Sequence, residues 1–409
     1  MRDNMSDMYQ SGDVQAAQSP TLWNLAFLSF VLLNLFIFMG FDLLLPTLSV
    51  YLESHGNTEA DIGMIFGTFT VSAIIMRMLA SRLASRLNSL WLVRLGLLGC
   101  VLAGIWYSWA HTLPTGMAAR FLHGAGFGLA STLITALASQ IIPPARMGEG
   151  LGYLGLGTTL ALALGPFFGI WLVDEFGYLP LFIVVASFYA AGILMVSLLP
   201  KIKLASTDPG APKPKLTLLS RRVLAPSFLM LLIGIIMSSV TIYMALFCRE
   251  LGLNYAGHFF VLSTVGLFVA RVTAGRIHDQ LGHSYVMVPS GLMLLAAMMA
   301  LYSAQSRETL FVVSIIYGLS TGAVFPSLQA LALSSVPLSG RTEATASLFN
   351  AFDLGMGLGS LLLGYLASQA GSYRLVYLGG AGASALLILF YITYFGFIKK
   401  NTGPSPARR

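Results

Sequence analysis

The stretch LWNLAFLSFVLLNLFIFMGFDLLLPTLSV, residues 22–50, contains one charged residue, Asp42. A helix that crosses a bilayer needs about 20 predominantly apolar residues, and this stretch is longer than that. The rest of the chain has the same character, because 56% of its 409 residues are hydrophobic, 10% are charged and the mean hydropathy is +0.79. Soluble domains have about 25% charged residues. The sequence therefore predicts a protein whose solvent is lipid.

Twelve such stretches follow one another along the chain. We predict an all-α membrane protein whose transmembrane spans are residues 22–50, 61–81, 90–110, 113–141, 148–173, 178–199, 223–247, 255–276, 284–304, 308–334, 343–368 and 374–397. The longest polar segment, 200–222, contains four prolines and four lysines and separates six spans from six. We expect two six-helix bundles with a cytoplasmic linker and two cytoplasmic tails, and the ranges in chain order are 1–21, 22–199, 200–222, 223–397 and 398–409.

The lysines and arginines predict the orientation of the chain. With the N-terminus in the cytoplasm, nineteen of the 23 fall on cytoplasmic segments or the helix ends beside them, and Arg249, Arg307 and Arg374 fall outside. This is the distribution that the positive-inside rule describes. The first residues lack the basic start and the cleavage site of a signal peptide, so we expect the first span to be retained. We predict a multi-pass protein of a bacterial inner membrane, with both termini cytoplasmic, lipids around it and no nucleic-acid partner.

The two predicted bundles share an internal repeat. Eight identities occur at one constant offset of 194 residues, and the pairs are Arg77 with Arg271, Arg82 with Arg276, Gly124 with Gly318, Gly128 with Gly322, Pro143 with Pro337, Glu149 with Glu343, Gly165 with Gly359, and Gly177 with Gly371. Parallel repeats of this kind form transporters whose substrate site lies near the bilayer midplane between the halves. We therefore expect a small-molecule site between the bundles.

A polar segment after the eighth span carries a family resemblance. The run Arg271-Val-Thr-Ala-Gly275-Arg276-Ile-His-Asp279-Gln-Leu-Gly282 is similar to the signature loop of the major facilitator superfamily, and the resemblance covers essentially the whole chain. It implies two pseudo-symmetric six-helix bundles, a monomer, and a cytoplasmic gate that comprises Arg77, Arg82, Arg86, Arg271, Gly275, Arg276 and Asp279. In the first half the loop is degraded, since Ser81, Ser85 and Asn88 replace its glycine, acid and glycine. The first-half latch must therefore work differently or be weaker.

Arg120 lies inside the fourth span, in the run Ala119-Arg120-Phe-Leu-His123-Gly124-Ala-Gly126-Phe-Gly128. A charge at that depth costs about 2.5–3.5 kcal/mol on insertion scales, so the side chain should face a cavity or a counter-ion. The alternative is a side chain that snorkels to the outer surface. The matching residue of the repeat is Ser314, so the scaffold does not require this charge. The segment resembles the helix-4 antiporter motif of the superfamily, an arginine followed four residues later by a glycine.

Asp42 is the predicted partner of Arg120. It lies in the first span, and Pro46 four residues later leaves the carbonyl of Asp42 without its helical hydrogen bond. This aspartate–proline spacing resembles helix 1 of multidrug/proton antiporters. Our hypothesis is that Asp42 carries the proton and that Arg120 tunes its proton affinity. The alternative is an acid at the outer membrane–water interface.

Asp353 is the second acid inside a span, and Asn350 shares its helix face because the two residues are three apart. The pair either binds a cationic or hydrogen-bonding substrate or a second proton, or forms a polar bond between the eighth, tenth and eleventh spans.

The fifth span contains Gly165-Pro166-Phe-Phe-Gly169, which resembles the antiporter signature of the superfamily. That resemblance favours export, although Ala161 and Ile170 fill positions where the signature has glycine, and generic membrane-helix glycine is the alternative reading.

Further side chains inside the spans are candidates for lining a substrate site. The aromatic candidates are Phe38, Tyr153, Tyr243, Tyr317 and Phe349, and the polar ones are Asn34, His123, Gln329 and Asn350. His123 either relays protons or is a packed neutral side chain. The chain has 26 phenylalanines and 16 tyrosines, so most aromatic rings must face lipid or pack between helices.

These features predict a proton-coupled secondary transporter that exports a small molecule by alternating access, with protons as the second partner. Two substrate classes remain open. Amphipathic toxic compounds of the multidrug type suit an aromatic cavity, whereas anionic metabolites such as metallophores suit extra positive charge near it. Residues 45–52 faintly resemble exporters of opine-type metallophores.

A proton symporter or a facilitator that imports a nutrient is the alternative transport mode. A membrane enzyme is a different class, which the sequence disfavours because it contains no HExxH pattern and no cysteine–histidine cluster. The sequence also has no phosphate loop that would indicate direct ATP drive. We expect neither a cofactor nor a metal site.

Overall fold

The computed structural model describes residues 22–143, 147–199, 219–336 and 341–398. The predicted tail 1–21, segment 200–218 of the predicted linker and residues 399–409 lie outside these ranges. The helices are α1 (Leu25–Ser54), α2 (Glu59–Ala84), α3 (Ser89–Trp106), α4 (Leu113–Ile141), α5 (Met147–Phe176), α6 (Tyr178–Leu198), α7 (Leu224–Thr241), α8 (Met244–Glu250), α9 (Ala256–Leu281), α10 (Ser284–Ser303), α11 (Arg307–Ser334), α12 (Arg341–Ala370) and α13 (Arg374–Tyr391).

Eleven of the described helices are long and apolar enough to cross a membrane. The remaining predicted span corresponds to α9, in which an apolar stretch over Ala256–Arg271 is described. We call α1–α6 the first half and α7–α13 the second half. The end of the bundle where α6 ends and α7 begins is the linker end, and the opposite end, where α1 ends at Ser54, is the distal end. The predicted all-α fold is confirmed.

Two predicted boundaries are wrong, and both have a local cause. The seventh span, predicted as one helix over 223–247, breaks at Ile242 and Tyr243 into α7 and α8. The carbonyl of Ile242 accepts a hydrogen bond from the Ser49 hydroxyl of α1 at 2.8 Å, at the break. The eighth span, predicted over 255–276, continues as α9 to Leu281, so the end of the signature segment is helix rather than loop, and the helix stops before Gly282, which has φ +98°.

The internal repeat is visible in how the helices pack. Gly124 of α4 lies so close to α2 that an added Cβ would meet the backbone of Phe69, and Gly318 of α11 meets the backbone of Ser263 on α9 in the same way. Both the two glycines and the two residues they contact are 194 positions apart. The halves therefore use the same glycine-mediated helix crossing, as small residues commonly do in membranes.

The halves meet where α1 packs on α8, α2 on α12 and α5 on α9. Thr264 of α9 donates a hydrogen bond to the Ala163 carbonyl of α5 at 2.9 Å. Ser360 of α12 donates one to the Gly63 carbonyl of α2 at 3.3 Å. These bonds use backbone carbonyls of the facing helix, so they join the halves without a charged side chain.

Charged and polar side chains tie the halves together at the distal end. Glu53 accepts a hydrogen bond from the Tyr373 hydroxyl at 2.9 Å and lies 3.8 Å from Arg249. Glu250 accepts hydrogen bonds from the Ser372 hydroxyl and from the Tyr373 backbone N–H, at 2.5 and 2.7 Å. Burial raises the pKa of Tyr373, which lies in the loop between α12 and α13, and the nearby Glu53 carboxylate raises it further. This hydroxyl therefore stays a donor, and the distal end is closed.

Candidate functional site

A cavity of about 50 Å³ lies between the halves near the middle of the bundle. It is lined mainly by apolar side chains together with Arg120 and Asp353, and the full lining is Phe41, Leu45, Phe66, Phe69, Thr70, Ala73, Arg120, Ile242, Phe352, Asp353, Met356 and Ser360. One water needs about 10–15 Å³ of such volume, whereas sites for drug-sized ligands measure about 300–1,000 Å³. The halves are therefore closed around this central cavity, which must widen to admit a substrate.

Arg120 is fully buried in the wall of the central cavity. Its guanidinium carbon lies 4.1 Å from the ring centroid of Phe66 and 5.3 Å from that of Phe69, which is cation–π geometry. Among the residues that the structure describes, none forms a hydrogen bond with its Nε, Nη1 or Nη2. The side chain does not snorkel to a surface, so that alternative is wrong.

His123 lies one helical turn from Arg120 and is also fully buried. Its Nδ1 is 2.8 Å from the Tyr107 hydroxyl and its Nε2 is 2.8 Å from the Tyr189 hydroxyl. A neutral imidazole donates through one nitrogen and accepts through the other, so both ring atoms are used. Of the two readings of His123, the contacts fit the packed side chain, which joins α4 to α6 and to the end of α3, and His123 does not line the central cavity.

Asp42 is 3% exposed and faces α5 rather than Arg120. A Cβ added at Gly165 would lie 2.6 Å from the Cβ of Asp42. Within the described ranges the Asp42 carboxylate has no ion pair, and the predicted pair with Arg120 is not formed. Successive helix residues point about 100° apart, so Asp42 turns toward α5 when its neighbour Phe41 faces the cavity. The low exposure places the side chain inside the bundle rather than on its surface.

The glycines of the predicted antiporter motif shape this crossing of α1 and α5. A Cβ at Gly165 would meet Asp42, and one at Gly169 would meet the carbonyl of Leu43. Pro166 between them lines a second cavity, of about 30 Å³, which lies between α5 and the second half. The motif therefore lets α1 approach α5 closely at the buried acid.

Asp353 forms an ion pair with Arg77 of α2, whose Nη1 lies 2.5 Å from its Oδ2. The two side chains are 24% and 17% exposed, so the pair is only partly accessible. For Asp353, the predicted polar bond to the eighth and tenth spans is not the ion pair that forms, because its partner belongs to the first half. Arg77 reaches Asp353 because α2 continues to Ala84 and holds Arg77 inside the bundle rather than in a loop.

The other residues predicted for the cytoplasmic gate do not form the Arg77–Asp353 ion pair. Arg82, Arg86 and Arg271 are exposed. The side chains of Gly275, Arg276 and Asp279 lie outside the described residues, so their part of the gate stays a prediction.

None of the predicted aromatic and amide candidates lines the central cavity. Asn34 donates to the Leu154 carbonyl and to Thr158, both on α5, and Tyr243 donates to the Ser360 carbonyl. Phe38 packs edge-on against Phe127, Tyr153 packs against Trp23, Phe349 is 38% exposed, and Asn350 and Gln329 are partly buried.

Tyr317 is the exception among these candidates, because it lines the second cavity with a buried hydroxyl that has no partner in the described part of the chain. The residues around it, Gly318-Leu-Ser-Thr-Gly322, match the GxSxG spacing of serine hydrolases. Ser320 lies in the middle of α11 and donates to the Ile316 carbonyl of its own helix, so this is not a nucleophile elbow.

Sequence reasoning missed the phenylalanines of the central cavity. Phe41 and Phe352 directly precede the two acids that were singled out, Asp42 and Asp353. That adjacency was the available signal, because the neighbour of an interior acid lies about 100° round the helix from it. Phe66 and Phe69 had no comparable signal.

The comparisons with known proteins agree with this architecture. The family model of the Major Facilitator Superfamily matches residues 30–302 and 255–409. The staphylopine export protein of Staphylococcus aureus is 22% identical over 93% of this chain and 97% of its own length. The quinolone resistance protein NorA of Staphylococcus aureus is 27% identical over 39% of this chain and 40% of its own length. A solved structure of a bacterial homologue of the human lysosomal transporter Spinster, inward-facing and unoccupied, superposes with a TM-score of 0.75 at 13% identity, over 93% of this chain and 98% of that one.

Proposed function

This chain belongs to the Major Facilitator Superfamily, and from that premise we propose that it is a proton-coupled exporter of small organic molecules in which Asp42 carries the proton. It is a multi-pass membrane transporter. The export direction, the coupling to protons, the monomeric state, the bacterial inner membrane and the cytoplasmic position of the linker end belong to the proposal. The observation that carries it is the burial of Asp42 at the crossing of α1 and α5, where no counter-ion lies beside it among the described residues.

A buried carboxylate without a hydrogen bond or a counter-ion is costly, and such a group avoids the cost by taking up a proton. Within the described residues, Asp42 has neither kind of partner. The close α1–α5 crossing is therefore compatible with the neutral acid, and loss of the proton requires water to reach it. Because water can enter only if the bundle opens, proton release and opening are coupled.

The direction of transport rests on two further observations. The motif that resembles an antiporter signature, Gly165 to Gly169, contacts Asp42 itself and the next residue of α1. Two relatives also bear names that concern export and drug resistance, the staphylopine export protein and the quinolone resistance protein. Both favour an exchange in which the inward movement of a proton drives the substrate outward, as the halves rock about the central cavity.

The test is a proton-flux assay on purified protein in liposomes that contain a pH-sensitive dye. An inward proton gradient is imposed, and lipophilic cations, neutral drugs and organic anions are added in turn. We expect a substrate-dependent proton flux that falls at least tenfold in Asp42→Asn and is unchanged in Glu308→Gln, a matched acid whose side chain is 67% exposed.

Two outcomes would contradict the proposal. A flux that persists in Asp42→Asn would move the proton site away from Asp42, and Asp353→Asn would then be examined. Substrate transport at a rate independent of the proton gradient would show a facilitator instead of a proton-coupled exporter.

A further inference from the structure

The guanidinium of Arg120 is buried beside a cavity and has no hydrogen-bond partner among the residues that the structure describes, which points to a ligand of opposite charge. We propose that the central cavity binds an organic anion whose carboxylate pairs with Arg120 and whose apolar body lies among Phe66, Phe69 and Phe352. The inference rests on the proposed transport function and names the substrate class for it.

First, Arg120, which is fully buried, differs from the partly buried arginines of the described chain. Arg77 pairs with Asp353, Arg94 donates to the Val196 carbonyl at 3.4 Å, and Arg374 donates to the Tyr302 carbonyl at 2.9 Å. Arg120 is more deeply buried than these and forms no such bond in the described part of the chain. Buried charges in proteins are ordinarily paired and hydrogen-bonded, because an isolated one is strongly destabilising.

The second step is that the acids near the cavity do not compensate Arg120. Asp42 faces α5, and the Asp353 carboxylate is held by Arg77. Arg120, Arg77 and Asp353 together leave one net positive charge at the cavity. The Phe66, Phe69 and Tyr107 rings, whose centroids lie 4.1, 5.3 and 5.8 Å from the guanidinium carbon, offer the weaker cation–π attraction and no opposite charge. An anionic ligand would complete the site, whereas a cation would have to displace Arg77 from Asp353.

The third step is the chemistry of the ligand. A guanidinium presents its donors as a planar fork, which matches the two oxygens of a carboxylate. The remaining lining is mainly apolar and aromatic, because Phe41, Leu45 and Met356 join the three phenylalanines of the proposal, and its hydroxyl groups are those of Thr70 and Ser360. The site therefore suits an amphipathic carboxylate better than a small inorganic anion or a sugar.

The test is direct binding in the absence of any gradient, with three probes that share one skeleton. Isothermal titration calorimetry on the purified protein would compare naphthalene-2-carboxylate, naphthalene-2-carboxamide and naphthalen-2-ylmethylamine. We expect the carboxylate to bind at least tenfold more tightly than the amide, and the amine to bind most weakly. This comparison uses the wild-type protein, so it does not depend on any variant folding.

Variants of Arg120 then test whether this residue causes the preference for the carboxylate over the amide. Arg120→Gln is expected to bind the carboxylate and the amide with equal affinity, and Arg120→Lys to retain part of the preference. Arg307→Gln is the matched control, because this arginine is 59% exposed and remote from the cavity, and its preference should match the wild type. Equal affinities for acid and amide in the wild type, a preference for the amine, or no binding of the carboxylate at millimolar concentration would overturn the proposal. An unchanged preference in Arg120→Gln would overturn the assignment to Arg120.

The two proposals fail separately. If Asp42→Asn keeps the carboxylate preference while proton flux is absent even in the wild type, the coupling is wrong and the anion site stands. If protons are exchanged for cationic drugs and the carboxylate does not bind, the exporter stands and the anion site is wrong.

Discussion

Helices α4 and α11 occupy equivalent places in the two halves, yet the polar side chains that they bury differ. Each contacts its neighbouring helix through a glycine at the same position of the repeat, Gly124 or Gly318. One turn away, α4 buries Arg120 without a hydrogen-bond partner in the described part of the chain, whereas α11 has Ser314, whose hydroxyl donates to its own helix at 2.7 Å. The scaffold therefore closes equally well without a charge. On the proposal above the guanidinium serves a ligand rather than the fold, and the polar chemistry of this helix pair is concentrated in the first half.

The same contrast holds three residues further along. His123 of α4 bridges the hydroxyl groups of Tyr107 and Tyr189. The matching residue of α11 is Tyr317, whose hydroxyl faces a small cavity and has no partner among the described residues. The hydrogen-bond network of His123 in the first half thus corresponds, in the second half, to the Tyr317 hydroxyl, which has no partner among the described residues. The following predictions test how far the equivalence of the scaffold and the difference in chemistry extend.

The largest expected effect concerns the shared scaffold. Gly124→Val and Gly318→Val should each lower the free energy of unfolding by about 3 kcal/mol, because the new side chain meets the backbone of a neighbouring helix, which cannot yield as a flexible side chain would. Detergent-induced unfolding in mixed micelles would measure both. Gly155→Val and Gly382→Val, one in each half, are controls with open space at the Cβ position. If only one half tolerates valine at the crossing, the packing equivalence is wrong.

Substitutions at the two equivalent positions, Arg120 of α4 and Ser314 of α11, should change the stability of the protein in opposite directions. Ser314 is fully buried, so Ser314→Arg should destabilise the protein by roughly 2.5–3.5 kcal/mol, the cost of an unpaired charge in the membrane. Arg120→Met should stabilise the unliganded protein by about 1 kcal/mol, because it removes such a charge and keeps the volume. Thermal unfolding without ligand would measure both changes. A large destabilisation by Arg120→Met would mean that the protein itself holds a partner for the guanidinium.

A smaller loss is expected from the histidine bridge. His123→Phe keeps an aromatic ring but leaves the buried hydroxyls of Tyr107 and Tyr189 without their partner, so it should cost about 2 kcal/mol of stability. Tyr107→Phe in the same background should then cost much less than it does in the wild type, since its hydrogen bond is already lost. Additive losses in this double-mutant cycle would show that the bridge contributes nothing.

The sequence predicted the helices well because lipid imposes a length that apolar runs reveal directly. It also singled out Arg120 and Asp353, which both line the central cavity, since a charge inside a span has to face the protein interior. It did not predict the pairing of Asp353 with Arg77 or the turn of Asp42 toward α5. Both depend on how each helix is rotated about its axis, which close contacts such as that of Gly165 with α1 decide.

The aromatic lining was harder to predict for a related reason. With 26 phenylalanines in an apolar chain, nothing local distinguishes Phe66, which lies over Arg120, from a phenylalanine that faces lipid. A charged residue inside a span has a cost that restricts where it can point, whereas an apolar one has no such cost on either side.

The smallest expected change in stability is that of Tyr317→Phe, which tests whether Tyr317 contributes as little to the fold as its contacts indicate. Tyr317→Phe removes a buried hydroxyl that has no partner in the described residues, so the stability should change by no more than about 0.5 kcal/mol. The same variant measured for transport reports on the second cavity, since a hydroxyl that binds substrate or water there would alter the apparent affinity without altering stability. A loss of stability as large as that of His123→Phe would show that the second half also contains an ordered polar network. The concentration of polar chemistry in the first half would then be wrong, even though the glycine crossings of the two halves remained equivalent.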